Sequence, residues 1–435
     1  MASRSQTPPH QPTYGVHMSH STIGSIVKHG FPSSKLISIN QLPIGKSYNN
    51  RIYFLKLSHS GKVIPSTSDL ASYEELELVL KVNGRFFGAN KIENEVVSLR
   101  LLEAYCPDTP TPKVYARSGD GKNATFVSPD GNMKAVITIL PSNDGMKEQS
   151  HSGWILMSRV PGDPIANLDL DEASMVNNMR QLADMATSWR LHIPPQRHCG
   201  NSCLRNEENK DQPADIHLQT FHGSSGTEVL VRGVLMDELT SQTPIPSLAD
   251  YYRLRLEKKL DELQTSDVYA PNRSLAVLVR SFITDSLPRL GLDEAFERAG
   301  FKQHKFVFTH YDLSPRNVLV SGQPPQITGV VDFEFSGFFS PIEEFLNDSV
   351  GNDGDWPKAA YDAYLERLEQ NGIATPGTGV DRKLWERGLS VENLVGNIAP
   401  WWLPGDREGE QLEEELKRVR QVVQSEIEKL KCFFN

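Results

Sequence analysis

The sequence predicts an α+β fold with two lobes: a small N-terminal lobe made of an antiparallel β-sheet and one helix, and a larger C-terminal lobe that is mainly α-helical. Three observations support this prediction. The length of 435 residues is enough for two or three compact units. Between residues 35 and 160, short runs rich in β-branched and aromatic residues alternate with polar or Gly-containing turns. Helical patterns then dominate the rest of the chain.

The N-terminal lobe is predicted to span residues 34–157. Its strand-like runs are "KLISI", "RIYFLKL", "ELVLKV", "KVYA", "KAVITIL" and "WILMSRV". Its helix is "NKIENEVVSLRLLEAY", in which Ile92, Val96, Leu99 and Leu102 are spaced to share one apolar face. The preceding residues, 1–33, lack periodicity and carry Pro and Ser clusters, which predicts a mobile, disordered tail.

The C-terminal lobe is predicted to span residues 158–435. Its helical patterns cover 174–192, 247–266, 273–300, 356–371, 381–403 and 408–431. A polar stretch from 196 to 228 predicts a long loop or insertion. The last helix is charged and amphipathic, so its apolar face must be covered. Packing on this lobe or dimerisation would cover it, and packing is favoured. The choice between monomer and dimer stays open.

Composition excludes several classes of protein. With 38% hydrophobic and 23% charged residues the chain is typical of soluble globular proteins. No apolar run approaches the roughly 20 residues that span a bilayer, and the first twenty residues contain no apolar core of a secretory signal. The formal charge of −10 argues against a nucleic-acid partner. Four cysteines do not form a disulfide scaffold. We therefore expect a cytoplasmic protein that binds neither membranes nor nucleic acid.

Four polar residues interrupt apolar runs in the C-terminal lobe. His310, Asp312 and Asn317 lie in "FTHYDLSPRNVLV", and Asp332 follows in "ITGVVDFEFSG". Such a set suits phosphoryl transfer, in which one Asp orients or accepts the proton of a hydroxyl while an Asn and a second Asp hold Mg²⁺. Asp and Asn are also common turn and cap residues, but four in this order, each embedded in apolar sequence, favour the catalytic interpretation.

The segments "HYDLSPRNVLV" and "GVVDFEFSG" resemble the catalytic and metal-binding segments of the aminoglycoside phosphotransferase-like family, which is related to choline kinases and protein kinases. The resemblance implies the protein-kinase-like fold, with ATP and Mg²⁺ as cofactors. It also implies that Asp312 is the catalytic base, that His310 supports the catalytic loop, and that Asn317 and Asp332 are Mg²⁺ ligands.

The resemblance implies a nucleotide site in the N-terminal lobe as well. Lys81, in "LVLKV", would reach the nucleotide phosphates, and Glu95, in the helix, would pair with Lys81. The turn "LPIGKSYNN" resembles a reduced phosphate loop containing Gly45, Ser47 and Asn49. Taken alone, this turn is no stronger a signal than an ordinary hairpin.

The stretch "WILMSRVPGDPI" resembles the hinge between the lobes, where backbone near Met157 and Arg159 would bind the edge of adenine. A strand that ends in a Pro-Gly turn would contain the same residues. Asp332 is followed by Phe-Glu rather than Phe-Gly, and no Ala-Pro-Glu follows downstream. These departures from protein kinases favour a small-molecule hydroxyl as acceptor over a protein.

The charge of the acceptor is left open. The segment "EEFLNDSVGNDGD" at 343–355 carries five acidic residues and no basic one, and these carboxylates would attract a cationic acceptor. The aromatic rings that would face such a cation are those of Phe338, Phe339, Trp401 and Trp402. A solvated acidic loop and core aromatics explain the same residues. Two other functions also stay open: a catalytically silent pseudokinase that acts through a protein partner, and transfer of a nucleotidyl group.

Overall fold

The computed structural model describes residues 7–8, 10–59, 75–127, 133–139, 153–205, 211, 214–218, 227–235, 243–293, 306–346 and 355–434. The chain forms two compact units. The first contains Met1–Leu170, Asn201–Leu239 and Pro315–Gly337, and the second contains Asp171–Gly200, Thr240–Ser314 and Phe338–Asn435. The first unit thus extends beyond the predicted N-terminal lobe, because it includes two later segments of the chain.

The strands are β1 (Ser34–Gln41), β2 (Asn50–His59), β3 (Glu75–Asn83), β4 (Val114–Ser118), β5 (Asn123–Val127), β6 (Met133–Thr138), β7 (Trp154–Ser158), β8 (Asp163–Pro164), β9 (Gly200–Leu204), β10 (Ile216–Leu218), β11 (Thr227–Arg232), β12 (Val307–Thr309), β13 (Val318–Ser321), β14 (Gln326–Val330) and β15 (Gly337–Phe339).

The helices are α1 (His20–Gly30), α2 (Ala89–Tyr105), α3 (Glu172–His192), α4 (Leu248–Thr265), α5 (Leu275–Ser281), α6 (Glu343–Leu346), α7 (Lys358–Gln370), α8 (Arg382–Ile398), α9 (Leu403–Asp406) and α10 (Gly409–Lys431). Short 3₁₀ turns occupy Ile165–Asn167, Asp267–Asn272, Leu287–Leu290, Phe333–Phe335 and Cys432–Phe434. No helix in the described part of the chain combines the length and apolar character that crossing a membrane requires. The predicted α+β class, with an antiparallel sheet first and a mainly helical part after it, is confirmed.

A seven-stranded antiparallel sheet forms the centre of the first unit, in the order β1-β2-β3-β7-β4-β5-β6. Strand β3 is central and pairs with β2 and β7, so that Lys81 lies opposite Ile52 on one side and Ile155 on the other. Leu78, Leu80 and Val82 of β3 are buried on the core face. Because side chains alternate along a strand, Lys81 points to the opposite face from these three residues.

Helix α1 corrects the prediction of a disordered tail over residues 1–33. Ser19 caps the helix, and its hydroxyl accepts a hydrogen bond from the Thr22 amide at 3.1 Å. Ile23, Ile26 and Val27 are buried in the same core as the sheet. The spacing of these three residues is that of one helix face, so the burial of this face, rather than local composition, orders the segment.

Helix α2 packs on the sheet through Ile92 and Val96, which contact Ile155 and Met157 of β7. All four residues of its predicted apolar face are buried, but so are Lys91 and Glu95. A second, three-stranded sheet has the order β14-β13-β8. Gly162 has φ +105° and lies where a Cβ would be 2.7 Å from the Val320 carbonyl oxygen, so only Gly permits this close approach of β8 to β13.

The second unit is mainly helical. Helix α3 packs against α7, and α8 packs against both α4 and α10. Side chains at the N-caps begin three of these helices: Asp171 for α3, Ser247 for α4 and Asp381 for α8. The predicted helix 273–300 is shorter in the structure, because α5 ends at Ser281 and a π-turn, a 3₁₀ turn and left-handed Gly291 follow; residues 294–300 lie outside the described part.

The polar stretch 196–228 is not a plain loop. It contains β9, β10 and the start of β11, which pair with one another as antiparallel strands. Strand β5 was also not predicted, because "NATFV" has too few apolar residues to form a clear alternating run. Most other predicted strands and helices lie within a few residues of the observed ones.

Candidate active site

A buried ionic cluster lies in the first unit, around the Lys81 ammonium group. Its Nζ donates to Glu95 Oε2 at 2.7 Å and contacts Glu334 Oε2 at 2.7 Å. It also forms a short ion pair with Asp332 Oδ1. Lys81, Glu95 and Asp332, which the sequence predicts as site residues from three separate segments, are therefore brought together, and Glu334 is added to them.

The network around Lys81 fixes its charge. Burial alone would lower the pKa of Lys81, but Asp332, Glu334 and Glu95 together hold it well above the usual lysine value. Burial raises the pKa of Glu95, and Lys81 opposes that shift. Lys81 is thus a permanently charged group, and a charged ammonium is what binding to phosphate oxygens requires.

Glu334 is the site residue that the sequence did not reveal. Its carboxylate is buried and receives four donors: Lys81, Lys91 at 3.0 Å, Asn49 at 3.0 Å and Asn50 at 2.6 Å. Burial would raise the pKa of Glu334, but Lys81 and Lys91 hold it far below the usual value. In the sequence, Glu334 stands out only as the Glu of Phe-Glu where protein kinases have Phe-Gly. That difference does not reveal which lysines and asparagines contact its carboxylate.

The turn with Gly45, Ser47 and Asn49 precedes β2. Gly45 has φ +84° and is exposed, so this turn uses a backbone conformation that favours Gly. Asn49 donates its side-chain amide to Glu334, so it links the turn to the Asp332 segment instead of offering that N–H to a phosphate. The predicted contact of Asn49 with a nucleotide phosphate stays a prediction.

Asp332 is held by the backbone around it. It has φ +69°, a left-handed conformation that Asp tolerates better than most residues. Asn94 of α2 donates to the carbonyl oxygens of Glu334 at 2.9 Å and of Ser336 at 2.8 Å. Helix α2 thus fixes the segment that follows Asp332, in addition to supplying Glu95.

Asn317 lies near Asp332 in the same unit. Val318 pairs with Val330 in the β13–β14 hairpin, and the Val331 amide donates to the Asn317 carbonyl oxygen at 2.9 Å. Asn317 and Asp332 therefore emerge from the same end of one hairpin, although they are fifteen positions apart in the sequence.

The metal prediction can be tested against the carboxylates of this cluster. Oxygens of Glu95, Asp332 and Glu334 lie within 4.8 Å of one another. All three carboxylates contact Lys81, but the side chain of Asp332 is 31% exposed, whereas those of Glu95 and Glu334 are only 3% and 1% exposed. Because Mg²⁺ keeps several water ligands, Asp332 is the carboxylate of the three that fits it.

The predicted catalytic loop lies in the second unit. His310 is buried, and the Asp312 amide donates to His310 Nδ1 at 3.3 Å. Nδ1 therefore accepts, which leaves the ring proton on Nε2. Trp356 Nε1 donates to the Leu313 carbonyl oxygen at 2.8 Å. These two bonds support the backbone on both sides of Asp312.

Comparison with known proteins decides the family. The family model described as the phosphotransferase enzyme family, APH, matches residues 41–378. The chain belongs to the phosphotransferase enzyme family. Membership identifies the class of activity as transfer of a phosphoryl group, and it confirms the resemblance that the sequence predicted. No match was found among curated proteins.

Several solved structures are similar to this phosphotransferase. The ADP-bound aminoglycoside phosphotransferase APH(2'')-Ib is 12% identical, with 94% of this chain and 99% of that chain covered at a TM-score of 0.49. The ethanolamine kinase of Plasmodium vivax is 10% identical, with 94% and 93% covered at a TM-score of 0.45. Macrolide 2'-phosphotransferase type I is 10% identical, with 94% and 98% covered at a TM-score of 0.42.

In the predicted hinge of this phosphotransferase, some backbone groups already form hydrogen bonds within the protein. Met157 lies in β7, opposite Val79 and Val114. The Arg159 amide donates to the Glu77 carbonyl oxygen at 3.0 Å, and its side chain forms an ion pair with Glu77. Adenine binding at Met157 stays a prediction, whereas the Arg159 N–H is not available for it in this conformation.

The acidic residues considered for a cationic acceptor divide into two groups. Glu343 and Glu344 are buried and form ion pairs with Arg255 and Arg190, at 3.2 Å in both cases. They are therefore not free to receive a cation, which overturns that interpretation for these two. Asp355 is exposed, and residues 347–354 lie outside the described part.

The aromatic residues divide in the same way. Phe338 and Phe339 are buried in the second unit, whereas the Trp401 residue is 56% exposed. The case for a cationic acceptor is weaker than the sequence suggested, because Glu343 and Glu344 are buried and contact internal arginines.

Proposed function

We propose that this phosphotransferase transfers the γ-phosphoryl group of MgATP to a hydroxyl group of a small-molecule acceptor. The observation that carries the proposal is the position of the Lys81 ammonium group, which contacts Glu95 and Asp332 at the same time. In kinases a lysine paired with a glutamate binds the nucleotide phosphates, and an aspartate nearby binds the metal that bridges them.

In this proposal Lys81 binds the phosphates of ATP and Glu95 keeps it in place. Asp332 and Asn317 would hold Mg²⁺, which when bound neutralises charge on the β- and γ-phosphates. Gly45 and Ser47 would approach the phosphates through backbone N–H groups and a hydroxyl. Backbone of Met157, near the end of β7, would bind adenine, whereas the Arg159 N–H already donates to Glu77.

The chemical step is an in-line displacement at phosphorus. The acceptor hydroxyl oxygen forms a bond to the γ-phosphorus, the bond from that phosphorus to the β–γ bridging oxygen breaks, and ADP leaves. Asp312 orients the hydroxyl and accepts its proton, while His310 fixes the backbone of Asp312 through the hydrogen bond at Nδ1. Positioning and charge neutralisation supply most of the rate.

The acceptor is a small molecule, and its charge is not part of the proposal. Glu343 and Glu344 are buried and already contact Arg255 and Arg190, so they supply no reason to require a cation. A screen should therefore contain neutral polyols and sugars as well as amino alcohols and aminoglycosides.

The test compares wild type with Asp312→Asn in the presence of MgATP, with water and then a panel of hydroxyl compounds as acceptors. Wild type should release ADP, and the variant should lose at least about 10²-fold in turnover because general acid–base groups contribute that much. MgATP binding, measured by calorimetry, should stay within twofold. Asp261→Asn, at an exposed position of α4, is the control for removing one carboxylate.

The products separate the alternatives. Release of pyrophosphate instead of ADP would indicate nucleotidyl transfer. Binding of MgATP with no release of either product, across the whole panel, would contradict the proposal and favour the pseudokinase. If Asp312→Asn kept the wild-type rate, the assignment of Asp312 would be wrong even if ADP were formed.

A further inference from the structure

Tyr311 has an unusual backbone conformation in the loop that carries the proposed catalytic base. It stands between His310 and Asp312 and has φ +74°. This left-handed conformation is unfavourable for a bulky residue, so surrounding contacts must hold it. The Tyr311 ring packs on Phe339, with ring centroids 4.8 Å apart.

The phenol groups of two tyrosines continue from this loop into the helical unit. The hydroxyl groups of Tyr311 and Tyr251 are 3.2 Å apart, and the Tyr251 hydroxyl donates to Glu343 Oε1 at 2.6 Å. A tyrosine has a single hydroxyl proton. Because Tyr251 gives its proton to Glu343, the Tyr311 hydroxyl is the donor to Tyr251, and the direction of this phenol relay (Tyr311, Tyr251, Glu343) is fixed.

The far end of the phenol relay is anchored by an arginine. Arg255 donates to Glu343 Oε1 at 3.2 Å and binds both oxygens of Glu392, one of them at 2.9 Å. Its guanidinium carbon lies 5.0 Å from the centre of the Tyr251 ring. Arg255 and Glu343 are buried, so the anchor cannot exchange its partners for water without local unfolding.

The carboxyl group of Glu343 lies close to that of Glu392, and Arg255 contacts both. Its Oε2 has no donor among the described residues. Burial and the neighbouring Glu392, opposed by Arg255, raise the pKa of Glu343 to about 8, and the carboxyl–carboxylate hydrogen bond between the two acids contributes to this shift.

We infer that Tyr311, Tyr251 and Glu343 are positioning residues that hold Asp312 in its reactive orientation by pinning the left-handed backbone of Tyr311 to α4 and α6. The inference rests on the proposed function, since it assigns a role relative to Asp312. Trp356 holds the other side of the same loop through the Leu313 carbonyl oxygen. Asp312 is thus fixed through both of its sequence neighbours.

A purely structural role for these phenols would lower stability without changing catalysis. Tyr364 provides the matched control. It is as buried as Tyr251, lies in the same unit and also donates its phenol hydroxyl to a buried glutamate, Glu344. The Tyr364 hydroxyl donates to Glu344 and not to Glu343, so Tyr364→Phe removes the same kind of bond at another place in the unit.

The experiment measures ADP release and MgATP binding for Tyr311→Phe, Tyr251→Phe and Tyr364→Phe. We expect the first two to lose about tenfold in kcat, the rate effect of one hydrogen bond, with the Kd for MgATP within twofold of wild type. Tyr364→Phe should keep the wild-type kcat. The double variant Tyr251→Phe with Tyr311→Phe should be no slower than either single variant, because both remove one relay.

Conservative replacement gives a second, independent readout. Glu343→Gln keeps an oxygen that accepts from Tyr251 and should retain most of kcat, whereas Glu343→Leu should lose as much as Tyr251→Phe. If wild type turns over and the relay variants keep kcat within twofold, or if all three Phe variants fall equally, the inference is wrong and the proposed function stands. If wild type releases no ADP, the proposed function fails and the inference fails with it.

Discussion

A buried carboxylate surrounded by four donors, as Glu334 is, contributes to structure through its charge as much as through its hydrogen bonds. It compensates two buried ammonium groups, those of Lys81 and Lys91, and it receives the side-chain amides of Asn49 and Asn50. Removing one partner of such a cluster leaves the others desolvated and unpaired.

Replacing Glu334 by Gln should therefore destabilise the protein by about 3 kcal/mol, because breaking a buried ion pair on one side typically costs that much. Urea unfolding at neutral pH measures the difference. Lys56→Gln, which removes the exposed ion pair with Glu75, is the control and should change stability far less. A Glu334→Gln variant as stable as wild type would contradict the importance of its charge.

Glu343 makes stability depend on pH. In the unfolded state Glu343 has its ordinary pKa near 4.5 and releases its proton above that pH. In the folded state its pKa is about 8, so the proton is retained up to that pH. Stability is therefore highest below pH 4.5 for this group, falls as pH rises towards 8, and changes no further above it. The charged and titratable groups that face Glu343 are Arg255, Glu392, Tyr251, Tyr252, Tyr311 and Cys199.

Glu343→Gln should remove this dependence. Between pH 5 and 8 the free energy of unfolding of the variant, minus that of wild type, should rise by about 1 kcal/mol per pH unit. Denaturant melts of both proteins across this range measure the difference, and taking the difference cancels all other titrating groups. A flat difference would show that Glu343 is ionised in the folded state at neutral pH.

At the scale of elements, helix α1 is where the largest error of the sequence prediction lies. Ile26 is fully buried in the core that α1 shares with the sheet, whereas Lys28 on the same helix is exposed. Ile26→Ala should cost about 3 kcal/mol, as large-to-small changes in packed cores do. Lys28→Ala should be nearly neutral. Equal, negligible effects in thermal melts would mean that the segment behaves as the mobile tail first predicted.

The success of the sequence prediction followed the strength of local periodicity. Helix α2 and strands β2, β3 and β7 carry long apolar patterns, and each was predicted close to its observed bounds. Helix α1 has the same pattern only in Ile23, Ile26 and Val27, and neighbouring Ser, Thr and Gly residues hide it. Strands β9, β10 and β11 are only five, three and six residues long, too short to show a clear alternating run in the sequence.

The sequence predicted which side chains lie together where a motif requires one residue type, but it did not predict which charged side chains are buried. Lys81, Glu95 and Asp332 come together as predicted from motif order. The sequence left the role of the acidic residues Glu343 and Glu344 open because charge in a sequence does not show whether an arginine lies opposite. Arg255 and Arg190, their partners, are about 90 and 150 positions away.

At the scale of the whole molecule, Asp332 is part of the buried ionic cluster and is also the proposed metal ligand. Without Mg²⁺, the phosphates of ATP would approach a cluster in which three carboxylates, Glu95, Asp332 and Glu334, outnumber two lysines, Lys81 and Lys91. If Asp332 holds Mg²⁺ as proposed, the ion would remove that excess of negative charge. Nucleotide binding should therefore depend strongly on the metal in this protein, and a single carboxylate should control the dependence.

The measurement is the thermal stability of the full chain with ATP, in Mg²⁺ or in EDTA, for wild type and Asp332→Asn. A ligand at about 100 times its Kd stabilises the folded state by about 2.7 kcal/mol. Wild type should thus show a clear rise in Tm with MgATP and a much smaller one in EDTA. The rise in Tm of Asp332→Asn with ATP should be the same in Mg²⁺ and in EDTA. The variant lacks the carboxylate that would bind the metal, and it also lacks the negative charge that would repel the phosphates. Exposed Asp261→Asn should behave like wild type. A variant that kept the full Mg²⁺ dependence would place the metal on other ligands, and ADP release by that variant would show that those ligands suffice for catalysis.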